Sequence, residues 1–172
     1  SATIVARTLK TFGLGADSAN KAVDMLAGGS LASTAGVQDL ADALKYVGST
    51  AKASGYNLSD TVTALSELTD SGLASTTAGT ALNRMMLGLT LGTTKAQKAA
   101  DDLGLSFTDV KGNLIPLQDV VQKLQDRFEG MGTAARNNEL KKIFGVEGMR
   151  AANILIEGGV DGWKKYKGAV DE

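Results

Sequence analysis

Leu103-Gly104-Leu105-Ser106-Phe107-Thr108-Asp109-Val110-Lys111-Gly112-Asn113-Leu114-Ile115-Pro116-Leu117 is the one stretch of this 172-residue chain that does not read as helix and connector. Leu105 and Phe107 alternate with Ser106 and Thr108, the period of a half-buried strand. Asp109 to Gly112 fits a type I turn with Gly112 in the left-handed position. Leu114 and Ile115 then return antiparallel, which predicts a short β-hairpin over 105–115, too small to stand as an independent sheet. Pro116 suits the first position of a helix, where its missing N–H costs nothing. Leu117, Val120, Val121, Leu124 and Phe128 continue from it at helical spacing. The expected fold is all-α, a multi-helix bundle of helical hairpins carrying this one β-hairpin. It divides into a helical half 2–104, the hairpin 105–115, a helical half 116–168 and a tail 169–172.

Outward from that stretch the chain is helix after helix. On the N-terminal side, residues 2–12 place Ile4, Val5, Leu9 and Phe12 on one stripe. A second helix is capped by Asp17, points Ala19, Ala22, Val23 and Leu26 inward, and is stopped by Gly28-Gly29. The third, 37–54, has the clearest period, with Val37, Leu40, Ala41, Leu44, Val47 and Ala51, and Gly55 ends it. Ser59 caps a fourth, with Val62, Leu65 and Leu68 inward and Gly72 at its end. A fifth over 78–89 carries Ala81, Leu82, Met85 and Leu89, and a short sixth runs from the cap Thr94 to Gly104. On the C-terminal side the helix from Pro116 ends near Gly130. Thr133 caps the next, which Gly145 breaks after Leu140, Ile143 and Phe144. Residues 146–157 bury Met149, Ala152, Leu155 and Ile156, Gly158-Gly159 stop them, and a short, frayed helix follows with Trp163 and Tyr166.

An internal echo supports the helical first half. Ser30-Leu31-Ala32-Ser33-Thr34 returns as Gly72-Leu73-Ala74-Ser75-Thr76, and Leu26, Leu40 and Val47 align with Leu68, Leu82 and Leu89 at the same offset. Two related helical hairpins give such a pattern. Convergence of Ala/Ser-rich linkers by composition gives it almost as readily.

Composition narrows the function. The net charge is −1, which argues against a general affinity for nucleic acid or acidic membranes. With no cysteine, disulfides and thiolate metal sites are excluded; with no histidine, so are the commonest general base and zinc ligand. No apolar run approaches a bilayer span, Met85-Met86-Leu87-Gly88-Leu89-Thr90-Leu91 being short and interrupted. The start lacks a secretion signal and an initiator methionine, which points to an excised fragment or a processed chain. Glycine is 21 of 172 residues and aromatics are 5%, so small residues do much of the packing and modest stability is expected.

Candidate chemical sites are few. No glycine run is followed by the Lys-Ser or Lys-Thr of a phosphate loop, and Gly13-Leu14-Gly15 reads as a helix stop. In Asp109-Val110-Lys111-Gly112-Asn113, Lys111 falls where a calcium loop needs an oxygen, so this is a turn. Asp101 and Asp102 point to different sides of a helix end, and Asp60 and Glu67 lie on one flank of the fourth helix; both pairs read as solvated surface. Arg136, Lys141, Lys142, Arg150, Lys164, Lys165 and Lys167 outnumber Glu139, Glu147, Glu157 and Asp161, with Trp163 and Tyr166 interleaved. Such a cluster can face phosphates or a membrane. The preferred reading is a basic helix end with two aromatics docked on the core. No catalytic, cofactor-binding or metal-ligating residue is assigned, and no cofactor is expected.

Four segments carry a resemblance. Thr77-Ala78-Gly79-Thr80-Ala81-Leu82-Asn83-Arg84-Met85-Met86, Gly112-Asn113-Leu114-Ile115-Pro116-Leu117-Gln118-Asp119-Val120-Val121 and Ile143-Phe144-Gly145-Val146-Glu147-Gly148-Met149-Arg150-Ala151-Ala152 resemble, in that order, the AGT-x-L-x-R, GN-x-x-PL-x-D and IFG-x-EG-x-RAA segments of phage tail tape measure proteins. Asp39-Leu40-Ala41-Asp42-Ala43-Leu44-Lys45-Tyr46-Val47 fits as well, and the C-terminal Trp-Lys-Lys-Tyr-Lys is the least family-like part. The resemblance implies the core region, 2–168, of a longer minor tail protein that sets tail length as a ruler and fills the tail tube until DNA is ejected. It implies a structural, non-catalytic part found in the virion tail, and in the host cytoplasm during assembly. It implies as partners the tail tube protein, tail tip or baseplate proteins, tail assembly chaperones and further copies of itself. No specific nucleic acid is implied, and membrane contact only for other parts of the full-length protein. The competing reading is an α-helical adaptor, without catalysis, whose 37–54 and 59–71 helices grip a partner protein.

Overall fold

The structure is a computed structural model and describes residues 2–172. Among them are eight α-helices: α1 (Ala2–Thr11), α2 (Ala19–Leu31), α3 (Val37–Ala53), α4 (Leu58–Asp70), α5 (Ser75–Gly88), α6 (Thr94–Leu103), α7 (Leu117–Phe128) and α8 (Thr133–Asp171), with a 3₁₀ turn at Ala16–Ser18 before α2. The all-α expectation therefore holds.

The β-hairpin expected over 105–115 does not form. Among the described residues there is no strand, only an isolated antiparallel bridge between Thr108 and Leu114. Its flanking bonds run from Asp109 N to Asn113 O (2.8 Å) and from Ile115 N to Phe107 O (2.9 Å), and Pro116 ends the return arm at once. The Asp109 carboxylate takes the next backbone donors, Lys111 N (2.9 Å) and Asn113 N (3.0 Å), closing an Asx turn where a ladder would begin. The alternation was real, since Leu105 and Phe107 are buried, but it serves a loop pinned to the bundle. Tyr56 donates its hydroxyl to Ile115 O (2.8 Å), and burial, helped by the charge of Asp60, pushes that phenol up to about 12.

Several helix ends also shift. Gly28-Gly29 do not stop α2, which continues to Leu31, while Asp17 lies in the 3₁₀ turn. The cap of α4 is Asn57, whose side chain accepts from Asp60 N, rather than Ser59; that of α6 is Thr93, accepting from Ala96 N, rather than Thr94. Gly132 and not Thr133 caps α8. Short polar residues are interchangeable as caps, so a one-residue slip carries no visible sequence penalty. The echoed residues Leu26, Leu40, Val47, Leu68, Leu82 and Leu89 are all core. The echoed linkers are not equivalent, because Leu31 ends α2 and is exposed while Leu73 lies past the end of α4 and packs on the core.

Two helices organise the bundle. In α4 every residue from Leu58 to Thr69 is buried except Asp60. An all-round buried helix is normally apolar; here Thr61, Thr63 and Thr69 satisfy their hydroxyls on carbonyls one turn back, Asn57 O, Ser59 O and Leu65 O. The second organiser is α8, which packs on α5, α4, α7, α2 and α6. It reaches them all because it is bent twice, at Gly145 (φ 74°) and Gly159 (φ 63°), into straight pieces over 133–144, 146–158 and 160–171. Both angles lie in the region that a side chain disfavours.

Candidate functional site: two glycine-lined seams

The first seam holds three of the four stretches that carried the resemblance, those in α3, α5 and α8. Helix α5 is clamped between α3 and α8, and glycines make both contacts close. A Cβ on Gly79 would lie 2.5 Å from Ala43 O of α3. On the other side Gly148 faces Met85 N at 3.0 Å, and Gly88 faces Ile143 O at 2.9 Å. Ala78, Ala81, Leu82, Met85, Met86, Ala151 and Ala152 fill the space between and are fully buried. Asn83 adds one polar tie, a hydrogen bond from the Thr50 hydroxyl. The AGT-x-L-x-R and IFG-x-EG-x-RAA patterns thus encode close helix crossings. Arg84 and Arg150 point outward, and Arg150 pairs at 3.7 Å with Glu147.

The second seam joins α4 to the last piece of α8, residues 160–171. Trp163, Tyr166 and Val170 are buried along one face of that piece. Around them the contacts are polar: Lys167 Nζ pairs with Asp60 at 2.7 Å and Asp171 at 3.2 Å, Ser59 donates to Asp171, and the Tyr166 hydroxyl donates to Asp70. Burial alone would lower the Lys167 pKa, but hydrogen bonds and charge from Asp60 and Asp171 carry it above its ordinary value. Burial, then the Asp70 hydrogen bond, raises that of Tyr166. On α2, Gly28 lets the backbone of Ala169 and Val170 come into contact. Tyr166 and Trp163 are docked as the preferred reading had them, and Lys164 and Lys165 remain exposed.

Glu67 is the residue the sequence misplaces. Expected on a solvated flank beside Asp60, it is 3% exposed, and its Oε1 has no hydrogen-bond partner among the described residues. Its Oε2 fills the slot left by Gly158 and Gly162, which stand on either side of the break at Gly159. Burial pushes its carboxyl up to about 7, with Lys165 pulling weakly the other way. The available signal was the cluster Gly158-Gly159 and Gly162, a stretch of backbone bare of side chains that another group can approach closely.

The remaining sequence candidates are ordinary. Asp102 pairs with Lys98 on the surface at 3.3 Å, and Gly13 ends α1 with φ 66°. The basic cluster is dispersed by Arg136–Glu157 (3.6 Å), Lys142–Glu139 (3.0 Å) and Lys167–Asp60. A pocket between α1 and α3 measures about 20 Å³, room for one water. The groove of about 910 Å³ beside Thr50, Leu87 and Asn113 is open, and its lining mixes Ser, Thr and Asn with Ala, Gly and Leu and carries no charged side chain. Among the described residues no group of acidic side chains can hold a metal, and no helix is long and apolar enough to cross a membrane.

Of the motif glycines, Gly79 and Gly148 make close crossings, while Gly112 and Gly145 turn the backbone at positive φ. The pattern described as phage-related minor tail protein matches residues 1–145. The chain belongs to that family. It is 29% identical over 170 residues, 99% of its length, to the tape measure protein of Pneumococcus phage Dp-1. It is 33% identical over 119 residues, 68% of its length, to the probable tape measure protein of Escherichia phage P2. The matched region is 15% of each relative, so the chain corresponds to a small part of proteins of that size. The family pattern covers the first seam up to Gly145 and leaves out the piece 160–171. No solved structure matches the chain.

Proposed function

We propose that this minor tail protein chain is a folded, non-catalytic segment of a tail tape measure, made in the host cytoplasm and built into the virion tail, where the whole protein sets tail length. The observation that carries the reading is the similarity to the Dp-1 tape measure protein along 170 residues. Two of the motifs within it supply helix crossings, at Gly79 and Gly148, and a third forms the loop that leads into α7. As partners we propose the tail tube protein, tail tip or baseplate proteins, tail assembly chaperones and further copies of the chain.

A ruler needs length, and the bundle as folded is short. Its radius of gyration is near ~16 Å at this chain length. Drawn out as helix, the same residues span roughly 260 Å at 1.5 Å each. We therefore propose that the bundle is the state before assembly, and that it opens into extended helices inside the tail. Several compact copies do not fit side by side in a narrow tube. The breaks at Gly145 and Gly159 already divide α8 into pieces that can swing apart without melting.

The test is an in-frame deletion and an in-frame duplication of residues 2–168 in the full-length gene, with tail lengths read by electron microscopy. Tails shorter and longer by about 250 Å, respectively, are expected from the helical rise. Tails of unchanged length with the duplication would remove this segment from the ruler. A compact bundle retained in a map of the assembled tail would overturn the opening.

A further inference from the structure

The piece of α8 over 160–171 has its own hinge, its own cap and its own docking face. Gly159, with φ 63°, breaks the helix immediately before it. The first backbone donor after the break, Val160 N, is capped by Gln125 Oε1 of α7 at 3.1 Å, so the piece starts as an independent helix. Beyond Trp163, Tyr166 and Val170, its hold on the bundle is a set of polar bonds at the edge of solvent. Beneath the hinge lies Glu67, with one carboxylate oxygen unpartnered and the other in the slot of Gly158 and Gly162.

We propose that residues 160–171 are a detachable strap hinged at Gly159, and that Glu67 is its latch, closed while the carboxyl is protonated and strained open when it ionises. A buried carboxylate without a donor has lost its water and gained nothing in return, whereas the neutral acid is far less expensive to bury. Opening at Gly159 restores water to Glu67 without disturbing the α3–α5–α8 seam.

The charges around the latch favour this assignment. From α8, Lys165 approaches but stays exposed, Tyr166 is committed to Asp70, and Lys167 is committed to Asp60 and Asp171. On its own helix the nearest titratable residues in sequence are both acidic, Asp70 one turn on and Asp60 two turns back, bonded to Tyr166 and Lys167 respectively. Helix α7 sends only uncharged Gln125, and Lys21 and Asp24 of α2 lie at the far end of the seam, beside Asp171. Lys165, whose Nζ lies 5.3 Å over the Tyr166 ring, acts on Glu67 by its charge, but it gives Oε1 no hydrogen bond, so the carboxylate is left without a donor there. Strap opening is a property of the isolated chain and is independent of the ruler reading.

The experiment is amide hydrogen exchange by mass spectrometry on the 172-residue chain from pH 5 to pH 8, corrected for intrinsic exchange, with Glu67→Gln in parallel. In the wild type, protection of 160–171 is expected to sit roughly tenfold or more below that of α5 at pH 8, the mark of a separate opening. It is expected to fall on the order of 70-fold from pH 5 to pH 8, the ratio that follows from a carboxyl at about 7 when docked and 4.5 when free. In Glu67→Gln that fall disappears. Equal protection of strap and α5 at every pH would overturn the strap, and an undiminished fall in Glu67→Gln would overturn the latch. Trp163 is the sole tryptophan of the chain and is buried in the docking face, so its quenching by acrylamide gives a second readout in the wild type alone. Quenching that rises with pH while helicity is retained is expected; quenching unchanged with pH would overturn the proposal.

Discussion

Between α5 and its neighbours, glycines meet backbone and the filling is Leu82, Met85, Met86 and alanines, all fully buried; between α4 and residues 160–171, glycines meet a carboxylate and the filling is one tryptophan ringed by charges and hydroxyls. The device is the same in both seams, a small residue that lets two elements touch. What it admits differs. Dispersion and apolar burial in the first involve no titrating group and are indifferent to pH. In the second, stability depends on where protons sit. The molecule thus has a permanent half and a conditional half; the family pattern, spanning 1–145, reaches into both and stops short of residues 160–171.

The largest effect separating the two is expected at Leu82, which is 0% exposed in the first seam. Leu82→Ala leaves a cavity between rigid glycine-tight helices that cannot close on it, and about 4 kcal/mol is expected from urea midpoints. The loss is equal at pH 5 and pH 8. A loss below about 2 kcal/mol would mean the seam collapses around the void and is softer than its contacts imply.

Next comes the pH profile of the wild type. In the folded chain Glu67 keeps its proton up to about 7, against 4.5 for a free carboxyl. Between those values the folded state holds the extra proton, so stability is greatest below 4.5, falls as pH rises and levels off above 7. The loss from pH 5 to pH 8 is expected to be about 2.5 kcal/mol, and Glu67→Gln is expected to abolish the slope and be the more stable chain at pH 8. A profile that rises with pH over this range would reverse the assignment of the conditional seam.

Gly79→Ala is smaller still. The new Cβ would press on Ala43 O at 2.5 Å, a backbone atom that cannot swing aside. Overpacking of about 1–3 kcal/mol, less about 1 kcal/mol regained in helix propensity, leaves a net loss of about 1 kcal/mol by thermal or urea unfolding. Gly158→Ala meets only the movable end of Glu67, so its effect belongs in strap exchange and hardly in the global midpoint.

The permanent half was the legible half. Leu40, Leu44 and Val47 in α3, and Leu82, Met85 and Leu89 in α5, repeat at helical spacing because one face is apolar and the other is not, and periodicity reads that directly. Helix α4 was legible only as Val62, Leu65 and Leu68. Thr61, Thr63, Ser66 and Glu67 look like a solvated face, yet all are buried, Ser66 against Gly29 of α2 and Glu67 against Gly158 and Gly162 of α8, contacts far away in sequence. The same limit explains Gly28-Gly29: two glycines in a row look like a stop, yet they hold α2 close to Val170, Ser66 and Val62. It also explains the lost hairpin, where two-residue alternation was visible but the claim of Asp109 on its neighbours' N–H groups was a local competition that periodicity does not weigh.

Tyr166→Phe is the finest test of the comparison. The change removes one hydroxyl and leaves the ring in place, so apolar burial of the strap is kept. Asp70, the acceptor it abandons, is exposed and regains water, so no buried group is orphaned. The expected loss is therefore about 1 kcal/mol, the net value of one hydrogen bond to a charged partner that can be re-solvated. If the strap is a separate unit, that loss shows almost wholly as faster exchange of residues 160–171, with α5 unchanged. With Asp70→Asn in the same chain the two losses should fall short of additive, because each removes the same bond. A loss spread evenly over strap and α5 would instead join the two seams into one cooperative unit.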